Sequence, residues 1–191
     1  MDKRDLAIRQ LRAAFERRPK RPLPPPLPFR QEATVLRLRW FHFIESMACY
    51  GLSRGDPDGF RTFLDLDVPE DTLGETVLRA LDASRFIPPG DPAFDSVMRA
   101  SMREPDPLLD AFEAEALRRA GVQTRATLYR GSVAVDVARQ EGQITVSASP
   151  SRGIAAWGKE KGFPHPDIVL AETAAPVEIG RAVNAAIAPL L

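Results

Sequence analysis

The chain predicts an α+β fold, mixed in the order of its elements: a single, mainly antiparallel sheet of about five to six strands flanked by helices. Three observations carry this. First, one pattern occurs twice, an apolar strand, a Pro/acidic loop and a helix with a glycine one turn in. The first copy runs through Phe63-Leu64-Asp65-Leu66, Val68-Pro69-Glu70-Asp71 and Leu73-Gly74-Glu75-Thr76-Val77. The second runs through Ile168-Val169-Leu170, Ala175-Pro176-Val177-Glu178 and Ile179-Gly180-Arg181-Ala182-Val183. Second, a helix with start and stop signals stands between the copies. Third, Val133, Val135 and Val137, then Ile144 and Val146, alternate around Arg139-Gln140-Glu141-Gly142, which reads as a hairpin. Strands followed by helices and then strands again suit α+β better than a regular doubly wound fold.

Taken in order, residues 4–18 read as an amphipathic helix with Ile8, Leu11 and Phe15 on one face. Pro19 to Pro28 holds six prolines, which cannot continue a helix or sit in a central strand, so it reads as an extended connector. These two pieces make an arm over residues 1–30, and residues 31–191 read as one α+β domain. Thr34 to Ile44 reads as a single strand, apolar on both faces toward its end. Gly51 to Gly59 is rich in turn residues, and Phe60 to Leu66 is the next strand. Pro69 to Ser84 follows as a helix whose Pro and acidic residues suit a first turn. An isolated helical glycine costs about 1 kcal/mol against alanine, so Gly74 and Gly180 mark close packing against another element.

The middle helix starts at the Asp106 cap with Pro107 in its first turn and ends at Gly121. Leu108, Leu109, Phe112 and Leu117 are its expected apolar face. Gln123–Tyr129, Ser132–Ala138 and Gln143–Ala148 read as three short strands. A Pro/Gly-rich connector carrying Trp157 leads to the strand Ile168–Leu170 and to a last helix, Pro176 to Leu190.

Composition bounds the function. A single cysteine, Cys49, excludes an intramolecular disulfide framework, and with two histidines it cannot build an ordinary zinc site. No apolar run approaches the ~20 residues of a membrane span, and Met1-Asp2-Lys3-Arg4-Asp5-Leu6 lacks the apolar core of a secretory signal. A cytoplasmic protein with no membrane partner is expected. The net charge is zero, yet the charges are segregated. Residues 1–39 hold 11 Lys/Arg against 4 Asp/Glu, residues 40–117 hold 6 against 16, and residues 118–191 hold 9 against 6. Segregation of this kind raises association rates with an oppositely charged partner. The arm's arginines could meet phosphates, but few aromatics interleave with them and the middle of the chain would repel nucleic acid, so nucleic acid is not an expected partner.

Catalytic patterns are missing: no nucleophile elbow, Walker loop, dinucleotide fingerprint or HExxH occurs. His42 lies mid-strand as a core residue, and His165 sits between two prolines in a loop. Asp56-Pro57-Asp58-Gly59 resembles the start of a calcium loop but lacks its further oxygen ligands, so it reads as a turn. No catalytic residue, metal or cofactor is expected. The alternatives are a small enzyme using Cys49, His42 or carboxylates, and a scaffold that assembles through the N-terminal helix.

One resemblance adds to this reading. Gly142-Gln143-Ile144-Thr145-Val146, Pro150-Ser151-Arg152, Trp157, Asp167-Ile168-Val169-Leu170 and Ile179-Gly180-Arg181-Ala182-Val183 resemble, in order and type, the immunity proteins of bacterial contact-dependent growth inhibition systems. Leu73 to Arg85 is similar to the first helix of that family. The resemblance covers residues 60–190 and leaves the arm unmatched. It implies a protein that binds and blocks the toxic C-terminal domain of an effector delivered by neighbouring bacteria, commonly a nuclease. Asp56, Asp58, Asp65, Asp67, Glu70 and Asp71 are then the expected contact residues, facing a basic toxin surface.

Overall fold

A computed structural model describes residues 26–99, 106–158 and 164–191. The helix and most of the connector expected before residue 26 lie outside the described residues. Among these residues nine strands form one curled, mainly antiparallel sheet: β1 (Gln31–Arg37), β2 (Phe41–Tyr50), β3 (Leu52–Gly55), β4 (Arg61–Asp65), β5 (Arg85–Phe86), β6 (Val133–Gln140), β7 (Gln143–Gly153), β8 (Ala156–Trp157) and β9 (Ile168–Ala171). Among the described residues four α-helices accompany it: α1 (Glu70–Asp82), α2 (Pro107–Ala120), α3 (Arg125–Tyr129) and α4 (Pro176–Ile187). The expected α+β architecture is present, with short extra strands at the sheet's edges.

The repeated pattern proves to be half of a larger repeat. β1, β2, β4 and α1 occur in the same order and pairing as β6, β7, β9 and α4. Phe41 pairs with Asp65 and Ile44 with Thr62, as Gln143 pairs with Ala171 and Val146 with Ile168. The two halves join through β1 and β6, antiparallel, with Ala33 opposite Val137 and Val35 opposite Val135. That register is the one a twofold axis between the two strands produces. On one face of the sheet α1 packs on α4, and their glycines explain how. A Cβ on Gly74 would overlap the carbonyl oxygen of Pro176, and a Cβ on Gly180 would overlap that of Glu70. Each glycine thus admits the first residue of the opposite helix, and backbone touches backbone. Leu73, Val77, Leu81, Ile179, Val183 and Ile187 then close on Val35, Ile44, Val135 and Val146 of the sheet.

The opposite face carries a second core, in which Leu36, Leu38, Phe41, Phe43 and Ala134 meet Ala116 of α2 and Leu128 and Tyr129 of α3. Phe43 and Phe63 pack on Phe112 of α2, with ring centroids 4.2 and 6.1 Å away. Asp106 caps α2 by accepting from Leu108 and Leu109 N–H groups, and Gly121 ends it in the left-handed conformation with φ +65°. The buried face of α2 differs from expectation: Leu109 is exposed while Glu113 and Ala116 are buried. Glu113 is drawn inward because Tyr129 donates to it at 2.8 Å and Arg125 pairs with it at 2.8 Å.

Three further expectations are corrected. The stretch 34–44 is two strands, turned at Leu38–Trp40, with the Leu38 N–H bonded to the Phe41 carbonyl. Both strands are apolar, and no glycine or proline marked the turn. In the stretch 123–129, Arg125–Tyr129 form a helix and there is no strand. Thr124 caps α3 by accepting from the Thr127 N–H at 3.2 Å, and the apolar Leu128 and Tyr129 occupy its last turn. The last helix stops at Ile187 and continues as a 3-10 turn through Pro189, which has no N–H to donate. In the hairpin, Glu141 and Gly142 both take positive φ, 50° and 78°, the two-residue turn that strand twist favours.

Candidate partner-binding surface

The six expected contact residues separate into two places. Asp65 ends β4, Asp67 follows in the turn, and Glu70 and Asp71 open α1, so these four share one end of the sheet. Their own folding roles are light. The Asp65 carbonyl accepts from the Val68 N–H, Asp71 accepts from the Thr72 N–H at 2.7 Å, and Glu70 stands 3.4 Å from Arg181 of α4. Acids in a first helical turn also suit its positive dipole end. All four carboxylates face solvent, with Glu70 the most sheltered.

Asp56 and Asp58 lie at the other end of β4, about 20 Å away at the rise of an extended strand. Asp56 is fully buried and so is not a contact residue: it folds the loop. Arg85 reaches its two oxygens at 2.7 and 2.5 Å, and the Asp58 N–H bonds Oδ1 at 3.0 Å. The Asp56 pairing also raises the pKa of Arg85, chiefly through that hydrogen bond. Asp56-Pro57-Asp58-Gly59 is thus a turn held by an ion pair, as the sequence suggested. Asp58 remains 74% exposed, 2.9 Å from the same arginine.

The side chains of the enzyme alternative are not brought together. His42 and Cys49 are an odd number of positions apart in β2 and project to opposite faces. Burial, and next the charge of Glu32, push the Cys49 thiol up, away from a thiolate. Burial lowers His42 to about 4, with Arg37 adding to it, and its Nδ1 has no partner among the described residues. His165 lies in the loop before β9. Among the described residues no cluster of acids, His and Cys could hold a metal ion, and no helix is long and apolar enough to cross a membrane.

Sequence reasoning missed a groove of about 380 Å³ between α3, the end of β7 and the C-terminal turn. Tyr129, Arg130, Ser132, Pro150, Ile154 and Leu190 line it. Trp157 braces its wall: its indole N–H donates to Ser132 at 3.0 Å, and its ring meets Tyr129 edge-on at 5.6 Å. Pro150 and Ser151 stood out in the sequence only through the family resemblance, and Trp157 through that and its place in the connector; the three are the sequence signal nearest to this groove.

Exposed acids at one end of the sheet and an open groove beside Tyr129 are surfaces that another macromolecule can meet. The comparisons make this specific. The family of CDI immunity proteins, CdiI, matches residues 31–189, and the chain belongs to that family. It is therefore an immunity protein against a toxin of contact-dependent growth inhibition. Two solved structures share the fold. One, described as a CdiA-CT/CdiI toxin and immunity complex from Yersinia pseudotuberculosis, has a TM-score of 0.71 at 20% identity over 84% of this chain and 97% of its own. The other, a protein of unknown function from Neisseria meningitidis, has a TM-score of 0.70 at 25% identity over 84% and 95%. No curated protein matches the sequence.

Proposed function

We propose that the protein binds the toxic C-terminal domain of its cognate CDI effector in the cytoplasm of the producing cell and neutralises it by occlusion, without chemistry of its own. The family match over residues 31–189 carries this reading. The buried Cys49 and His42 support inhibition without catalysis, since they project to opposite faces of β2 and burial keeps the Cys49 thiol protonated. We further propose that the toxin is a nuclease whose substrate-binding surface is basic. Asp65, Asp67, Glu70 and Asp71, with Asp58 as an outlying contact, would then stand where phosphates otherwise bind. Long-range attraction between such surfaces speeds encounter and rejects partners of the wrong sign.

The experiment is co-expression with the C-terminal domain encoded by the adjoining upstream gene, followed by co-purification and a growth assay. A tight complex with rescued growth is expected. Toxicity undiminished by the full chain would overturn the proposal, and rescue lost in Cys49→Ala/His42→Ala with the complex intact would return the enzyme reading.

A further inference from the structure

We infer that the toxin is held at two points on one end of the sheet, and that the groove beside Tyr129 takes an extended, apolar segment of the toxin carrying a carboxylate. This rests on the immunity reading above and adds the second half of the interface.

The sheet register places the groove. Asp65 pairs with Phe41 on β2, the β1–β2 turn is at Leu38–Trp40, Arg37 pairs with Val133 on β6, and Val133 pairs with Pro150 on β7. The acidic loop and the groove therefore lie on one row across five strands. Four strand spacings separate them by about 19 Å, within the span of one interface of about 800 Å² per partner. The acidic loop alone makes a poor interface, because binding energy concentrates in desolvated apolar and aromatic contacts and rim charges contribute little. The groove supplies the missing part.

Its chemistry selects the occupant. Ile154 is 54% exposed at the β7–β8 turn, and Leu190 and Pro150 continue the apolar lining. The charged group on the lining is Arg130, exposed and engaged in none of the ion pairs among the described residues. A guanidinium beside an apolar trough fits a carboxylate next to an apolar side chain. The trough is built to stay open: Trp157 holds Ser132, and the Ser151 N–H bonds the Ser132 carbonyl at 3.1 Å. The two contact points then differ in sign, acidic loop to basic toxin surface and Arg130 to toxin carboxylate, which fixes the orientation of docking.

The test measures binding of the full-length protein to the cognate toxin domain by calorimetry and by dissociation rate, for Arg130→Glu, Ile154→Asp and both together. These side chains are exposed, so the thermal midpoint should not move. Each single substitution is expected to weaken the complex about tenfold, mainly through faster dissociation, and the pair about a hundredfold. Binding of the double variant within about twofold of the wild type would overturn the groove while leaving the immunity reading intact. No complex with the unaltered protein would overturn both.

Discussion

The Asp56 carboxylate shows how one residue type serves opposite purposes. Its neighbour in the turn, Asp58, is exposed, whereas Asp56 is sealed against Arg85 and also bonds a backbone N–H. Asp56→Ala should therefore lower stability by about 1.5–3 kcal/mol, the worth of hydrogen bonds to a charged group, measured by urea unfolding. Asp58→Ala should change it by less than about 0.5 kcal/mol. His42 gives the pH dependence. Its folded pKa is depressed to about 4 from an ordinary value of 6.5, so the unfolded chain binds the proton more readily. The cost is absent above pH 6.5, grows as pH falls, and is complete below 4. It amounts to about 3 kcal/mol. Unfolding of His42→Leu, compared with wild type from pH 7 to 4, should show the smaller loss of stability. Parallel curves would mean that His42 does not carry the proton linkage.

Among the elements, α1 and α4 form the joint on which the two halves depend. Gly74→Ala or Gly180→Ala gains about 1 kcal/mol of helix propensity but drives a methyl into a carbonyl oxygen of the other helix. The net outcome should be destabilising, by about 1–3 kcal/mol as in overpacked cores, and seen as a lower thermal midpoint. The pair should cost less than the sum of the singles, because separating the helices once relieves both contacts. The elements read correctly in advance were those with local signals at their ends: the Asp106–Pro107 start, the Gly121 stop, the Glu141–Gly142 turn. The Leu38–Trp40 turn lacked such a signal and was missed. α3 was missed because five residues hold too little periodicity to separate helix from strand, and Thr124 was not taken as a cap.

For the whole molecule, charge is the property that reaches furthest. Asp67→Lys with Asp71→Lys should slow association with the toxin about tenfold at low salt, with the difference shrinking as salt is raised through about 0.5 M. Stopped-flow association across a salt series checks this, and a rate insensitive to both changes would remove the acidic loop from the encounter.

Composition, capping and alternation were enough to indicate the α+β class and the repeated strand–helix unit, since each depends on residues near one another in the chain. The pseudo-twofold pairing of β1 with β6, the burial of Asp56 and the groove at Tyr129 depend on residues far apart. Asp56 meets Arg85 from 29 positions away, and Ser132 meets Trp157 from 25. Such contacts are chosen when the sheet closes and buried polar groups must find partners, and no local pattern records that choice.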